Sequence, residues 1–164
     1  MSRHVLYLLL GSNIQRPLKQ LAIARDLLQK HLGKIIKVSS IFKTAAWGAH
    51  DQPNFFNQVI KLQSTRKAIT ILRIVKNIEV LMGRASGPQW GPRIIDIDLL
   101  FYGQTKINSK ELILPHPLLE SRRFALVPLV EIAPNFRHPI TQKSMLYLLN
   151  VCPDSLPVKK VKHA

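Results

Sequence analysis

At 164 residues, with 46% hydrophobic and 20% charged side chains, the chain is long enough for one domain with a substantial core and too apolar for intrinsic disorder. Its single cysteine, Cys152, excludes an internal disulfide and a cysteine-rich zinc site. Twenty-four lysines and arginines against nine acids give a net charge of +15, which calls for polyanionic company: nucleic acid, an acidic membrane surface or a phosphorylated small molecule.

His4 to Leu10 is a nearly continuous apolar run closed by Gly11, Ser12 and Asn13, which predicts a central strand and a turn. The run is shorter than the ~18 residues a membrane span needs and lacks a small-residue cleavage site, so a cytoplasmic protein without membrane attachment is expected. Pro17 opens a helix whose apolar stripe is Leu18, Leu21, Ala24, Leu28 and Leu32, with Gly33 as its stop. Ile35 to Phe42 and Phe55 to Leu62 read as strands, and Lys67 to Met82 as a second helix carrying Ile71, Val75, Ile78 and Met82 on one stripe.

The segment from Gly83 to Pro92 holds three glycines and two prolines, which predicts a mobile loop. Ile94 to Tyr102 is the clearest strand. The order to that point is βαββαβ, which predicts an α+β, ferredoxin-like antiparallel sheet with helices on one face. Five prolines between Pro115 and Pro139 then permit only short helices and strands, with Ala125 to Ala133 and Ser144 to Leu149 the best helical pieces. Residues 1–152 are expected to form a single domain and 153–164 a loose basic tail.

Alternation in the strand IIDIDLLFY places Ile95, Ile97, Leu99 and Phe101 on one face and Asp96 with Asp98 on the other. Two carboxylates so close repel each other, and a cation between them relieves the repulsion. Mg²⁺ suits hard oxygens on a rigid element, and salt bridges to arginines would serve the same electrostatic need. Only nine acids exist in the chain, and two of them share one apolar strand, which weighs towards the metal. Arg84, Trp90 and Arg93 flank the neighbouring loop, and guanidinium groups beside a carboxylate-bound metal would clamp phosphate oxygens. Phe55 and Asn57 share a strand face and Phe124 follows Arg122 and Arg123. An aromatic wall with an amide suits a flat heterocycle, although an aromatic at a strand start equally suits a core. His116, between Pro115 and Pro117, is a phosphate or base contact or a surface histidine; spacing does not decide.

GSN at 11–13, DQPNFFN at 51–57, GR at 83–84, WGPRIIDIDLLFYG at 90–103, LPHP at 114–117 and RRFALVPLVEIAP at 122–134 together resemble the 6-hydroxymethyl-7,8-dihydropterin pyrophosphokinases of folate biosynthesis. The resemblance implies transfer of the β,γ-pyrophosphoryl group of ATP to the pterin hydroxymethyl oxygen, with release of AMP. It implies Asp96 and Asp98 as ligands of two Mg²⁺ ions, Arg84 and Arg93 steadying the triphosphate as catalytic groups, and His116 and Arg122 contacting ATP, with Glu79 on the nucleotide side. Phe55 and Phe124 would sandwich the pterin, Asn57 and Thr44 would bond its edge together with the backbones near Ala45 and Trp47, and Trp90 would close over the site. A monomer acting on small molecules is expected, with no specific nucleic acid.

The sequence departs from familiar members in three places. Ala45 replaces a usual proline, the loop before Trp90 is one residue short and lacks an arginine sometimes found there, and Glu111 and Ile113 stand where some members carry arginine and threonine, so no role is carried to those two. The rival readings are a basic ferredoxin-like nucleic-acid-binding module, which should display aromatics on its central strands, and a metal-dependent nuclease using the same Asp pair.

Overall fold

The computed structural model describes residues 2–46, 51–84 and 92–162. Strand β1 (His4–Ser12) lies between β4 (Phe55–Ser64) and β5 (Asp96–Tyr102), antiparallel to both. Its alternate side chains enter two different cores. Leu6, Leu8 and Leu10 pack with Leu21, Ala24 and Leu28 of α1 (Pro17–His31) and Ile71, Val75 and Ile78 of α2 (Ala68–Leu81). Tyr7 and Leu9 pack on the opposite face with Ala125, Leu126 and Leu129 of α3 (Arg123–Ile132) and Met145 and Leu148 of α4 (Met145–Asn150). A strand buried on both sides must be apolar at every position, which is why the opening run does not alternate. The two helices of the βαββαβ unit share one face, as expected, and the C-terminal helices cover the other.

With β3 (Phe42–Thr44) and β8 (Lys159–Lys160), five strands run in the order β5-β1-β4-β3-β8, and β2 (Lys34–Val38) pairs with β4 beside β3. The single strand expected from Ile35 to Phe42 is thus two. Ser39 interrupts it: its hydroxyl accepts the Val59 N–H at 2.9 Å, taking over a bond that a backbone carbonyl would otherwise make. A two-stranded ribbon, β6 (Ile107–Asn108) with β7 (Ile113–Leu114), follows β5. Leu18, expected on the buried stripe of α1, is 37% exposed instead, in the first turn of the helix. Gly33 ends that helix where a side chain would not fit, since a Cβ there would lie 2.0 Å from the Gln63 carbonyl oxygen.

Alternation also fails once in β5. Tyr7 pairs with Phe101 but Leu8 with Leu99, so Leu100 is an extra residue that bulges the strand. Ile95, Ile97 and Leu99 face α1 and α2 as predicted, whereas Phe101 turns to the opposite core beside Leu100. Asp96 and Asp98 precede the bulge and keep their shared face. The tail is not loose throughout: β8 (Lys159–Lys160) adds to the sheet edge against Phe42 and Lys43 of β3. The backbone ladder, together with Val161 packed against the first core, fixes a segment whose lysines suggested free solvation.

Tyr7, Phe101 and Tyr102, the aromatics of β1 and β5, are buried and so offer no stacking platform for nucleic acid. No helix among the described residues is long and apolar enough to cross a membrane.

Candidate active site

Gly11, near the end of β1, pairs with Asn57 of β4 on one side and Asp96 of β5 on the other. Neighbouring strands are ~4.8 Å apart, so the two side chains stand on one face about 10 Å from each other. A Cβ on Gly11 would come 2.7 Å from Asn57 Oδ1; only glycine lets the amide lie over the central strand. Above this platform opens a cavity of about 360 Å³. Thr44, Ala45, Phe55, Asn57 and Phe124 line it as a largely neutral part, and Arg84, Arg93, Asp96, Asp98, His116 and Arg122 as a charged part. Residues more than one hundred positions apart in the chain, Gly11 and Phe124 among them, thereby share one cavity.

The charged part is held together by its own ion pairs. Arg84 Nη1 donates to Asp96 Oδ1 at 3.0 Å and to Glu79 Oε2. Arg122 Nη1 stands 3.8 Å from Asp98 Oδ2. Burial first, and then the Asp96 charge, push the Asp98 carboxyl up to about 7 against the pull of Arg122. Asp98 is therefore under-neutralised despite the nearby Arg122. His116 is anchored through its N–H to the Leu100 carbonyl at 3.0 Å, and its Nδ1 accepts from Leu118 N–H at 3.2 Å, which assigns the ring proton to Nε2. Burial first and Arg122 second hold that ring down to about 4, so it is neutral at physiological pH.

Glu79 takes a different place from the one implied. It is absent from the cavity lining and almost fully buried, where Oε2 accepts the Ile97 N–H at 2.8 Å as well as Arg84, and Oε1 lies 3.4 Å from Lys76 Nζ. Burial raises its pKa, opposed by Ile97, Lys76 and Arg84. From beneath the strand it fixes Arg84 and pairs with Lys76, and so reaches the cavity through those two cations. Glu111 pairs with Arg73 on the surface, and Ile113 is exposed on β7, which agrees with assigning neither a site role. Trp47 and Trp90 lie outside the described residues.

In the neutral part, Thr44 Oγ1 and Asn57 Nδ2 are buried and have no hydrogen-bond partner among the described residues. Such atoms are rare in folded proteins, because an unmet buried polar group costs about 1–3 kcal/mol. Phe55 and Phe124 line the same part of the cavity, and the Arg122 guanidinium lies 5.6 Å from the centre of the Phe124 ring. Two polar edges and two aromatic side chains in one cavity suit a flat, hydrogen-bonding ligand.

Sequence reasoning passed over two contributors. Lys76 lines the cavity one helical turn before Glu79. Asn13 joins three segments: its Oδ1 accepts Arg93 N–H at 2.8 Å, and its Nδ2 donates to Gln52 Oε1 and the Pro53 carbonyl, both at 3.1 Å. The only sequence signal for Asn13 is its place in the GSN turn.

Residues 7–134 match the family described as 7,8-dihydro-6-hydroxymethylpterin-pyrophosphokinase (HPPK). A 2-amino-4-hydroxy-6-hydroxymethyldihydropteridine pyrophosphokinase of Aquifex aeolicus is 40% identical over 139 residues, covering 85% of this chain and 86% of that protein. The enzyme of the same name from Bacillus subtilis is 36% identical over 130 residues, 79% of this chain and 78% of its own. The folic acid synthesis protein fol1 of Schizosaccharomyces pombe is 35% identical over 91% of this chain, which spans only 20% of that longer protein. Among solved structures, an HPPK-DHPS in complex with substrates superposes with a TM-score of 0.76 at 17% identity, covering 91% of this chain and 43% of that one, a likeness of fold alone. The sequence match begins inside β1, takes in every described cavity residue and runs to the end of α3, and on that ground the chain belongs to the 7,8-dihydro-6-hydroxymethylpterin-pyrophosphokinase family.

Proposed function

We propose that the protein transfers the pyrophosphoryl group of ATP to the hydroxymethyl oxygen of 6-hydroxymethyl-7,8-dihydropterin and releases AMP. The observation that carries this reading is the juxtaposition in one cavity of two buried polar groups unmet among the described residues, Thr44 Oγ1 and Asn57 Nδ2, with a carboxylate-arginine cluster whose Asp96 lies two strands, about 10 Å, from Asn57. The pterin takes the neutral part, between Phe55 and Phe124. The triphosphate takes the charged part, where Arg84, Arg93 and Arg122 donate to its oxygens and the neutral His116 ring presents Nε2–H. The bond that forms joins the hydroxymethyl oxygen to the β-phosphorus; the bond that breaks joins that phosphorus to the oxygen shared with the α-phosphate, which leaves on AMP. Phosphoryl transfer needs little covalent help, so alignment of the hydroxyl with the β-phosphorus and stabilisation of oxygen charge supply most of the acceleration.

Mg²⁺ fits the residues present. Asp96 and Asp98 are hard oxygen donors on a rigid strand, and burial first, with the Asp96 charge beside it, leaves at Asp98 a demand for positive charge that Arg122 does not meet. No group of three potential metal-ligating side chains occurs among the described residues, so Asp96 and Asp98 would hold the ion with phosphate and water as its remaining ligands. When bound, Mg²⁺ neutralises charge on the phosphoryl oxygens. Asp96 and Asp98 would hold it, and Glu79, by holding Arg84, keeps that guanidinium beside Asp96.

Incubation with Mg²⁺, ATP and 6-hydroxymethyl-7,8-dihydropterin should yield AMP and the pterin pyrophosphate in equal amounts. ADP in place of AMP would sink the pyrophosphoryl assignment, and no turnover would sink the activity.

A further inference from the structure

The C-terminal segment lies beyond the family match, which ends at residue 134, yet it touches two elements that build the neutral part of the cavity. From Val151 to Val158 the side chains alternate between exposed and half-buried, with Cys152, Asp154, Leu156 and Val158 inward, the signature of an extended strand lying on a surface. Cys152 packs against the core under α3 and α4, whereas Val161 packs against the core under α1 and α2, so the segment passes around the sheet edge from one face to the other.

Three attachments hold it. Asp154 Oδ2 accepts the N–H of Arg123 at 3.1 Å, while its Oδ1 accepts Leu156 N–H at 3.0 Å. Arg123 is the first residue of α3, and its N-cap Arg122 makes no side-chain cap bond, so Asp154 supplies from the tail the acceptor and negative charge that a helix N-terminus wants. Phe124, one residue further, lines the cavity. Next, β8 pairs with Phe42 and Lys43 of β3, the strand that ends at Thr44, and Val161 N–H donates to the Ile41 carbonyl at 2.8 Å. Last, Glu131 of α3 accepts the Ser40 N–H and pairs with Lys160 Nζ at 3.3 Å, joining helix, strand entry and tail.

On the reading that Thr44 and Phe124 hold the pterin, we infer that residues 153–161 act as a strap that positions both of them, Phe124 through Asp154 at the start of α3 and Thr44 through β8. Arg122, although adjacent, has its own anchors in Asp98 and in its N–H bond to the Leu119 carbonyl. The strap is therefore expected to govern pterin binding more than ATP binding.

The test compares the full chain with Asp154→Ala, with Asp154→Asn, which keeps an acceptor oxygen, and with a chain ending at Asp154. Amide hydrogen exchange is measured at residues 41–44 and 123–126, together with the KM of each substrate and the thermal midpoint. Asp154→Ala should speed exchange at 123–126 and raise the pterin KM about fivefold, the scale of losing a helix cap, with the ATP KM held within about twofold. Asp154→Asn should restore most of the difference, and the truncated chain should add faster exchange at 41–44. Unchanged exchange in every variant overturns the strap. Faster exchange with both KM values unmoved, or moved equally, overturns its role at the pterin. A wild-type chain that releases no AMP overturns the activity reading instead, and the exchange comparison still decides whether the strap exists.

Discussion

The two parts of the cavity are prepared in opposite ways. In the charged part, Arg84 is bonded to Asp96 and Glu79, and Arg122 stands beside Asp98, so incoming phosphate and cation must exchange with ion pairs already formed. In the neutral part, Thr44 Oγ1 and Asn57 Nδ2 have no partner among the described residues to give up, and on the proposed reading a ligand there would complete them. Groups that trade partners shape the transition state, where charge redistributes; groups that gain partners set affinity for the bound ring. Substitutions should separate along that line.

The largest effect belongs to the carboxylates. Asp96→Ala and Asp98→Ala should each lower turnover by about a hundredfold or more while circular dichroism and thermal midpoint stay near wild type, since losing a major electrostatic element costs that much. AMP formation near the wild-type rate in both variants would erase the distinction. Asn57→Ala comes next: pterin binding should weaken by about 1–3 kcal/mol by calorimetry, with ATP binding barely altered. Equal losses for the two ligands would make Asn57 structural.

Gly11→Ala is the sharper probe because its Cβ collides with Asn57 Oδ1 at 2.7 Å without removing any polar group. A loss of about 1–3 kcal/mol from overpacking is the upper bound. It should appear first in the pterin KM, and an ATP KM that rises more would reverse the comparison. The smallest effect concerns His116, whose ring is held down to about 4, chiefly by burial and then by Arg122. Lowering the pH from 8 to about 5.5 should leave its carbon-bound proton resonances unshifted, because the neutral form persists until the pH approaches the folded-state value. A midpoint near 6.5 would mean that the ring is open to water and that the charged part is less enclosed than described.

Much of this arrangement is legible in the chain because it follows from local periodicity. The Asp96 and Asp98 pair is set by strand alternation, and the Pro17 and Gly33 boundaries of α1 by backbone sterics. What escapes is whatever depends on one residue meeting another far away. Alternation cannot foresee the bulge at Leu100, so Phe101 changes face. A hydroxyl that replaces a ladder bond splits a strand at Ser39 with no change in hydropathy. Glu79 reads as an ordinary acid on an amphipathic helix, yet it is buried under Ile97 because β5 passes over it. The tail carries lysines and prolines and only a short alternating pattern, so nothing local marks Asp154 as the acceptor for a helix thirty-one positions earlier.

The doubly buried β1 also bears on how the chain comes to be folded as it is made. Leu6 to Leu10 are made well before their partners: β4 ends at Ser64, β5 at Tyr102, and the helix that covers Tyr7 and Leu9 only at Ile132. Until Tyr102 has been made this apolar strand lacks one of its two hydrogen-bond neighbours, and until Ile132 it lacks its second roof. Pairing over such sequence separations is slow, and exposed strand edges associate with one another. Nascent chains halted before residue 123 should therefore be the aggregation-prone species, and solubility should return only when α3 has left the ribosome.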